Sequence, residues 1–219
     1  KVSIETLESL RPVNMVISPG PGHPLTDAGI SLACIKHFGG QIPILGICMG
    51  LQCMTVAFGG VVSGAGEIFH GKTSMMQHDG CGLFAGLSTS VPITGTRYHS
   101  LCAQIDAVPD VLRETAHVDS GVVMGLRHKT YTIEAVQYHP ESVMSEYGHE
   151  MVRNFLSWRG GTWAENPHVL NTPASAGPST SESILTRIFR QRKLDVAQSQ
   201  TIPGRSLADL EASIALQLD

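Results

Sequence analysis

Ile44-Leu45-Gly46-Ile47-Cys48-Met49-Gly50-Leu51-Gln52 sets an apolar, β-type run directly against a helix-compatible segment, with a cysteine at the junction and a glycine two positions to either side. A strand that turns sharply into a helix lifts the residue at the turn above the sheet. The strained turn tolerates little side-chain bulk beside it, a demand that Gly46 and Gly50 meet. Gly-x-Cys-x-Gly is therefore the pattern of a nucleophile elbow. On its own it also fits a buried structural thiol, because free cysteine packs as a small hydrophobe and its reactivity is set by its surroundings. The rest of the chain decides between the two.

Upstream of the elbow, Val13 to Ser18 is a short apolar run bounded by Pro12 and Pro19, which reads as a buried strand. Pro19-Gly20-Pro21-Gly22-His23-Pro24 fits neither helix nor strand and forms a stiff loop at the carboxyl end of that strand. Thr26 or Asp27 is expected to cap a helix running to about Phe38, stopped by Gly39-Gly40. The next strand is expected over Ile42 to Ile47, followed by the elbow and a helix through Phe58. This alternation predicts an α/β fold with a mostly parallel open sheet and helices on both faces. Downstream, short β-like runs (Lys72–Met76, Val91–Tyr98, Val111–Ala116, Val122–Arg127, Thr132–Gln137) form the β-rich side of the same domain. An amphipathic helix from Gly148 to Trp158 closes it.

The first domain is thus expected over residues 1–159, a linker dense in Pro, Ser, Thr and Gly over 160–182, and a second unit over 183–219. In that unit Ser183 to Gln200 reads as a basic helix with Ile184, Leu185, Ile188 and Phe189 on one stripe, and Ser206 caps a second helix to Leu218. Two helices are too few to form a core alone, so they read as the opening of a domain cut at Asp219. The 219 residues carry 42% hydrophobic and 16% charged residues, enough for a sizeable core, and a net charge of -4 gives no case for nucleic acid. No apolar run approaches the roughly 18 residues of a membrane span, and no signal peptide opens the chain. Five cysteines, an odd number without paired spacing, show neither a disulfide framework nor a zinc site. The expected setting is reducing and cytoplasmic. The chain starts without an initiator Met, close to a strand, and reads as a piece of a longer one.

Three segments converge on one chemistry. Beside the elbow stands Gln137-Tyr138-His139-Pro140-Glu141-Ser142 at the end of a predicted strand, where Pro140 fixes the backbone between an imidazole and a carboxylate. That spacing lets Glu141 reach back and orient His139, which in turn could deprotonate Cys48. The third segment is the Pro19–Pro24 loop, whose Gly20 and Gly22 leave backbone N–H groups open to an oxyanion or a small carboxylate. All three lie at carboxyl ends of predicted strands, where open α/β sheets place their sites.

Ser18-Pro19-Gly20-Pro21-Gly22, Gly46-Ile47-Cys48-Met49-Gly50-Leu51-Gln52 and Tyr138-His139-Pro140-Glu141-Ser142 together resemble the class I, triad-type glutamine amidotransferases, over roughly Val2 to Trp158. The resemblance implies the flavodoxin-like fold of that family, and a catalytic triad of Cys48, His139 and Glu141. It also implies an oxyanion hole at the N–H groups of Gly22 and Met49. L-Glutamine would be bound by Gly20, Pro21, Gly22, Gln52, Ser100 and Leu101. Arg97-Tyr98-His99-Ser100-Leu101, His70-Gly71-Lys72 and Leu126-Arg127-His128-Lys129 look like the anthranilate and aminodeoxychorismate synthase subgroup rather than GMP synthetase or carbamoyl-phosphate synthetase.

The tail from Ser183 resembles the first helix of indole-3-glycerol-phosphate synthase, an arrangement similar to the fungal multifunctional tryptophan-biosynthesis family. The resemblance implies ammonia delivery to a chorismate-binding component I of anthranilate synthase. It implies no cofactor for glutamine hydrolysis, Mg²⁺ on the partner, and no nucleic-acid or membrane partner. The competing readings are the glutaminase of aminodeoxychorismate synthase, a stand-alone γ-glutamyl hydrolase and an inactive scaffold. Two departures from the family pattern stand out: its usual first strand, with an Asp-Asn-Tyr-Asp-Ser-Phe-like motif, is missing before Lys1, and Ala135 replaces a usual glycine. The synthase residues that would follow Asp219 are also missing, so the chain is not expected to perform that reaction.

Overall fold

The computed structural model describes residues 2–170. The tail helices expected after Ser183 lie outside the described residues. In chain order the elements are α1 (Ile4–Ser9), β1 (Met15–Ile17), α2 (Ser31–Phe38), β2 (Ile44–Ile47), α3 (Met49–Ala57), β3 (Val62–Gly64), β4 (Lys72–His78), β5 (Ile93–Arg97), β6 (Leu101–Ala103), β7 (Leu112–His117), β8 (Val123–His128), β9 (Ile133–Val136), α4 (Gly148–Ser157) and α5 (Pro167–Leu170). Among the described residues, no helix is long and apolar enough to cross a membrane. All five cysteines are free thiols.

Seven strands form one sheet in the order β1-β2-β9-β8-β7-β4-β5, and β3 pairs with β6 in a small second sheet. The α/β class with helices on both faces is as expected, but the sheet is parallel only across β1, β2 and β9. The pairings from β9 through β8, β7 and β4 to β5 are antiparallel. Short connections produce the β7–β8 and β8–β9 pairings, since a few residues can return a chain antiparallel but a parallel neighbour needs a crossover. The parallel strands β2 and β9 are buried at every position, as a strand covered by helices on both faces must be. β1 forms one edge of the sheet, with Val16 half-exposed.

The sheet separates two apolar clusters. On one side Ile35 and Phe38 of α2 and Leu51, Cys53 and Met54 of α3 pack with Ile44, Ile133 and Leu126. On the other, Met151 and Phe155 of α4 pack with Phe84, Tyr138, Trp158 and Trp163. Three sequence expectations need correction. α2 begins at Ser31 with Ile30 at its N-cap and no side-chain cap. Asp27 turns back instead, accepting hydrogen bonds from the His23 N–H and the Thr26 hydroxyl, both at 2.7 Å. Residues 160–170, expected as linker, are folded against the domain: Trp163 and Val169 sit in the core, and Trp163 Nε1 donates to the His128 carbonyl at 2.6 Å. Burial of an indole and its N–H bond outweighs the local Gly-Pro-Asn composition there. Finally, β3 and β6 close a sheet of two strands that the runs of residues did not announce.

Fully buried charge also knits the sheet. Arg127 on β8 donates from Nε and Nη2 to both oxygens of Glu134 on β9 (3.0 and 2.8 Å), and from Nη1 to Asp79 (2.8 Å). Glu134 further accepts from the Leu83 N–H at 3.0 Å.

Candidate active site

Cys48 occupies the turn between β2 and α3 with φ 53° and ψ -99°. A non-glycine residue holds such a conformation only where the surroundings over-determine it. Here they do: Cys48 N–H donates to the Val136 carbonyl of β9 at 2.7 Å, and the Cys48 carbonyl accepts from Leu51 and Gln52. The flanking glycines are required by space. A Cβ on Gly46 would lie 2.7 Å from the Gly50 carbonyl carbon, and one on Gly50 would lie 2.5 Å from the Ile17 carbonyl oxygen. The elbow is thus a three-way contact of β1, β2 and α3 with no room for a methyl group.

β2 and β9 run in parallel register, Ile47 against Val136, so the chain leaves both strands at the same end. Close beyond that point, His139 Nδ1 lies 2.7 Å from Glu141 Oε1. The carboxylate can only accept, so Nδ1 is the donor of this contact. His139 Nε2 is buried and has no hydrogen-bond partner. Backbone pairing of His139 N–H with the Thr96 carbonyl (2.9 Å) fixes the segment, and the Tyr98 ring stands edge-on to the imidazole at 5.1 Å.

The Cys48 thiol is pushed up to about 11. Burial is the main cause, and the Glu141 charge adds to it. The Met49 N–H and the Gln137 side chain pull in the opposite direction. At neutral pH the resting sulfur is therefore a neutral thiol that needs a base to become a nucleophile.

Gly20, Pro21, Gly22 and Met49 share one open cavity of about 500 Å³, also lined by Ser18, Asp27 and Ser31. The loop and the first turn of α3 thus face each other, as the motif reading requires. Gly22 has φ +90°, and a Cβ there would lie 2.4 Å from the Asp27 carboxylate. Gln52 is buried on α3, and its Nε2 donates to the Leu101 carbonyl at 3.2 Å and to Gln137 Oε1 at 3.3 Å. Leu101 is therefore brought to Gln52 through its backbone. Ser100 is exposed at the adjoining turn, where its carbonyl accepts from the Ala65 N–H at 2.8 Å. Among the described residues, no group of three or more His, Cys, Asp or Glu side chains could hold a metal ion.

Three neighbours of the site carried no assignment from sequence. Arg97 is buried, stacks on Phe69, and binds Glu67. It also donates from Nε to His99 Nε2 at 2.9 Å, which leaves the His99 Nδ1–H to donate to the Leu101 carbonyl, also at 2.9 Å. Burial first, and then the Arg97 charge, lower His99 to about 4, so it is a neutral spacer. The third is Gln137, whose place two residues before the His-Pro-Glu motif was the one available signal.

Fold and geometry define a nucleophile-elbow α/β protein with cysteine at the elbow and a carboxylate-held histidine two residues beyond the Gln137 that meets its sulfur. The sequence pattern of one family, Glutamine amidotransferase class-I, matches residues 1–158, and the chain belongs to that family. It is 48% identical over 235 residues to a protein of Phycomyces blakesleeanus named multifunctional tryptophan biosynthesis protein, an alignment covering 100% of this chain and 30% of that one. The chain therefore spans less than a third of that relative's length. It is 46% identical over 170 residues to anthranilate synthase component 2 of Pseudomonas aeruginosa, covering 75% of this chain and 83% of the relative. Among solved structures, a putative GMP synthase protein from Thermoplasma acidophilum matches with a TM-score of 0.61 and 28% identity, over 70% of this chain and 75% of that one.

Proposed function

We propose that this chain is the glutaminase part of an anthranilate synthase, hydrolysing L-glutamine and passing ammonia to a chorismate-binding component I. The observation that carries the reading is the buried, unpartnered Nε2 of His139, its other nitrogen held by Glu141, two residues beyond the Gln137 whose side chain meets the thiol of the strained elbow. Cys48 Sγ attacks the side-chain amide carbon of glutamine while its proton passes to His139 Nε2. The developing oxyanion meets the N–H groups of Met49 and Gly22. Collapse of the tetrahedral intermediate breaks the C–N bond, and His139 returns the proton to the leaving nitrogen, giving ammonia and a γ-glutamyl thioester. Water, deprotonated by the same nitrogen, then hydrolyses the thioester to glutamate and restores the thiol.

Gln52, Ser100, Leu101, Gly20 and Pro21 hold the substrate in this reading. None of these steps calls on a metal or organic cofactor, and the Mg²⁺ belongs to the partner. The relatives named for tryptophan biosynthesis and for anthranilate synthase support the choice of partner.

The test combines glutamate release, with and without a component I and chorismate, with mass mapping after a glutamine-analogue chloroketone. The expected result is an adduct on Cys48 and glutamate release that rises with the partner and yields anthranilate. An unmodified Cys48 in the folded chain refutes the reading, and product formation only with an aminodeoxychorismate partner moves it to the folate branch.

A further inference from the structure

Gln137 is fully buried just past the end of β9 and lies between two groups of the site. Its Nε2 is 3.5 Å from Cys48 Sγ, and its Oε1 accepts from Gln52 Nε2 at 3.3 Å. The orientation of both carboxamides is fixed by their neighbours. Gln52 Nε2 also faces the Leu101 carbonyl at 3.2 Å, an atom that can only accept. With its nitrogen committed to two acceptors, Gln52 requires an oxygen from Gln137, and the Gln137 NH₂ is left facing the sulfur. The Leu101 carbonyl is itself held by His99 Nδ1–H, whose tautomer is set by Arg97. A chain of directed donors thus ends at Cys48.

We propose that Gln137 is a positioning residue for Cys48: its side-chain N–H, aimed by Gln52, holds Sγ toward the cleft and stabilises the charge left when the proton moves to His139. An amide N–H facing sulfur favours the form that accepts best, and a thiolate accepts far better than a thiol. The other groups at this mouth act differently. Glu141 opposes charge on the sulfur, His139 removes the proton, and the Met49 N–H is also committed to the substrate oxyanion in the proposed reaction. Gln137 is a donor to the sulfur that is also screened from solvent. The inference rests on the reading of Cys48 as nucleophile.

Cysteine-resolved alkylation by iodoacetamide and by the bulkier N-ethylmaleimide, followed by peptide mass between about pH 7 and 9, tests it on the full chain without substrate. In Gln137→Met the Cys48 rate is expected to fall about tenfold with both reagents across this range, the loss of thiolate that one pH unit of upward shift gives. An unmoved Cys48 rate overturns the proposal, and so does a loss that grows with reagent size, which is what a merely distorted or less accessible site gives. Should Gln137→Met not fold, Gln137→Asn keeps a buried amide, falls one methylene short of the sulfur, and is read by the same criteria. Failure of the glutamine-analogue adduct in the unchanged chain would instead sink the nucleophile reading itself, so the two failures are distinguishable.

Discussion

Gly50→Ala is the most informative single perturbation of the elbow. The added methyl would sit 2.5 Å from the Ile17 carbonyl oxygen and 3.2 Å from Ile17 Cβ, against an ordinary contact beginning at 3.4 Å. The nearest neighbour is backbone in a strand bonded to β2, so relief cannot come from a rotamer change. α3 and β1 must separate by most of an ångström. Overpacking of this kind costs about 1–3 kcal/mol, and rigid backbone on both sides puts Gly50→Ala at the upper end. In a domain of this size that lowers Tm by roughly 5–10 °C.

The catalytic loss should exceed what the stability loss suggests. Ile17 leads directly into the Ser18–Gly22 loop, and Gly50 follows Met49, so the displacement opens the gap between the two proposed oxyanion donors. A misplacement near 1 Å at such a point costs on the order of 100-fold in rate. Glutamate release measured well below the new Tm, with component I present, should therefore show kcat down about 100-fold. Gly64→Ala serves as the control, because a Cβ there meets nothing within 4 Å; it should leave both Tm and rate unchanged. A Gly50→Ala chain with full kcat would refute the claim that the elbow is built to zero clearance.

Two further outcomes follow from buried charge and buried thiols. Glu134→Ala removes the carboxylate that two Arg127 nitrogens and the Leu83 N–H share, leaving an under-compensated guanidinium in the core. Urea denaturation should report a loss of about 3–5 kcal/mol. Cys48 and Cys53 are both pushed up to about 11, chiefly by burial, from an ordinary 9.0. The unfolded chain thus releases these protons first as pH rises, so the stability they contribute is complete below about pH 9 and lost progressively towards pH 11. Urea midpoints should be flat from pH 7 to 8.5 and fall steeply above 9.5, and a flat alkaline limb would contradict the burial of these thiols.

Legibility of this chain tracked how local the physical cause was. Gly46, Cys48 and Gly50 could be read because a strand-to-helix turn imposes its steric demand within five residues. Glu141 was readable as the partner of His139 because two residues and one proline fix their separation. Asp27 misled because a side-chain oxygen serves equally well as a helix cap or as the acceptor for a preceding loop, and only the tertiary path of residues 22–27 selects the second. The β4–β7 and β3–β6 pairings join segments that lie far apart in sequence, so no local pattern specifies them. Trp163 and Val169 show the same limit: a Gly-Pro-Asn-rich composition describes how the chain turns but says nothing about a pocket beneath it. Gln137 is the most instructive case. Its residue type at that position was plain, yet its importance depends on the sulfur 89 positions away and on the orientation imposed by Gln52. A site's nucleophile and base announce themselves through neighbours in sequence, whereas the groups that aim them are defined only once the strands have found their register.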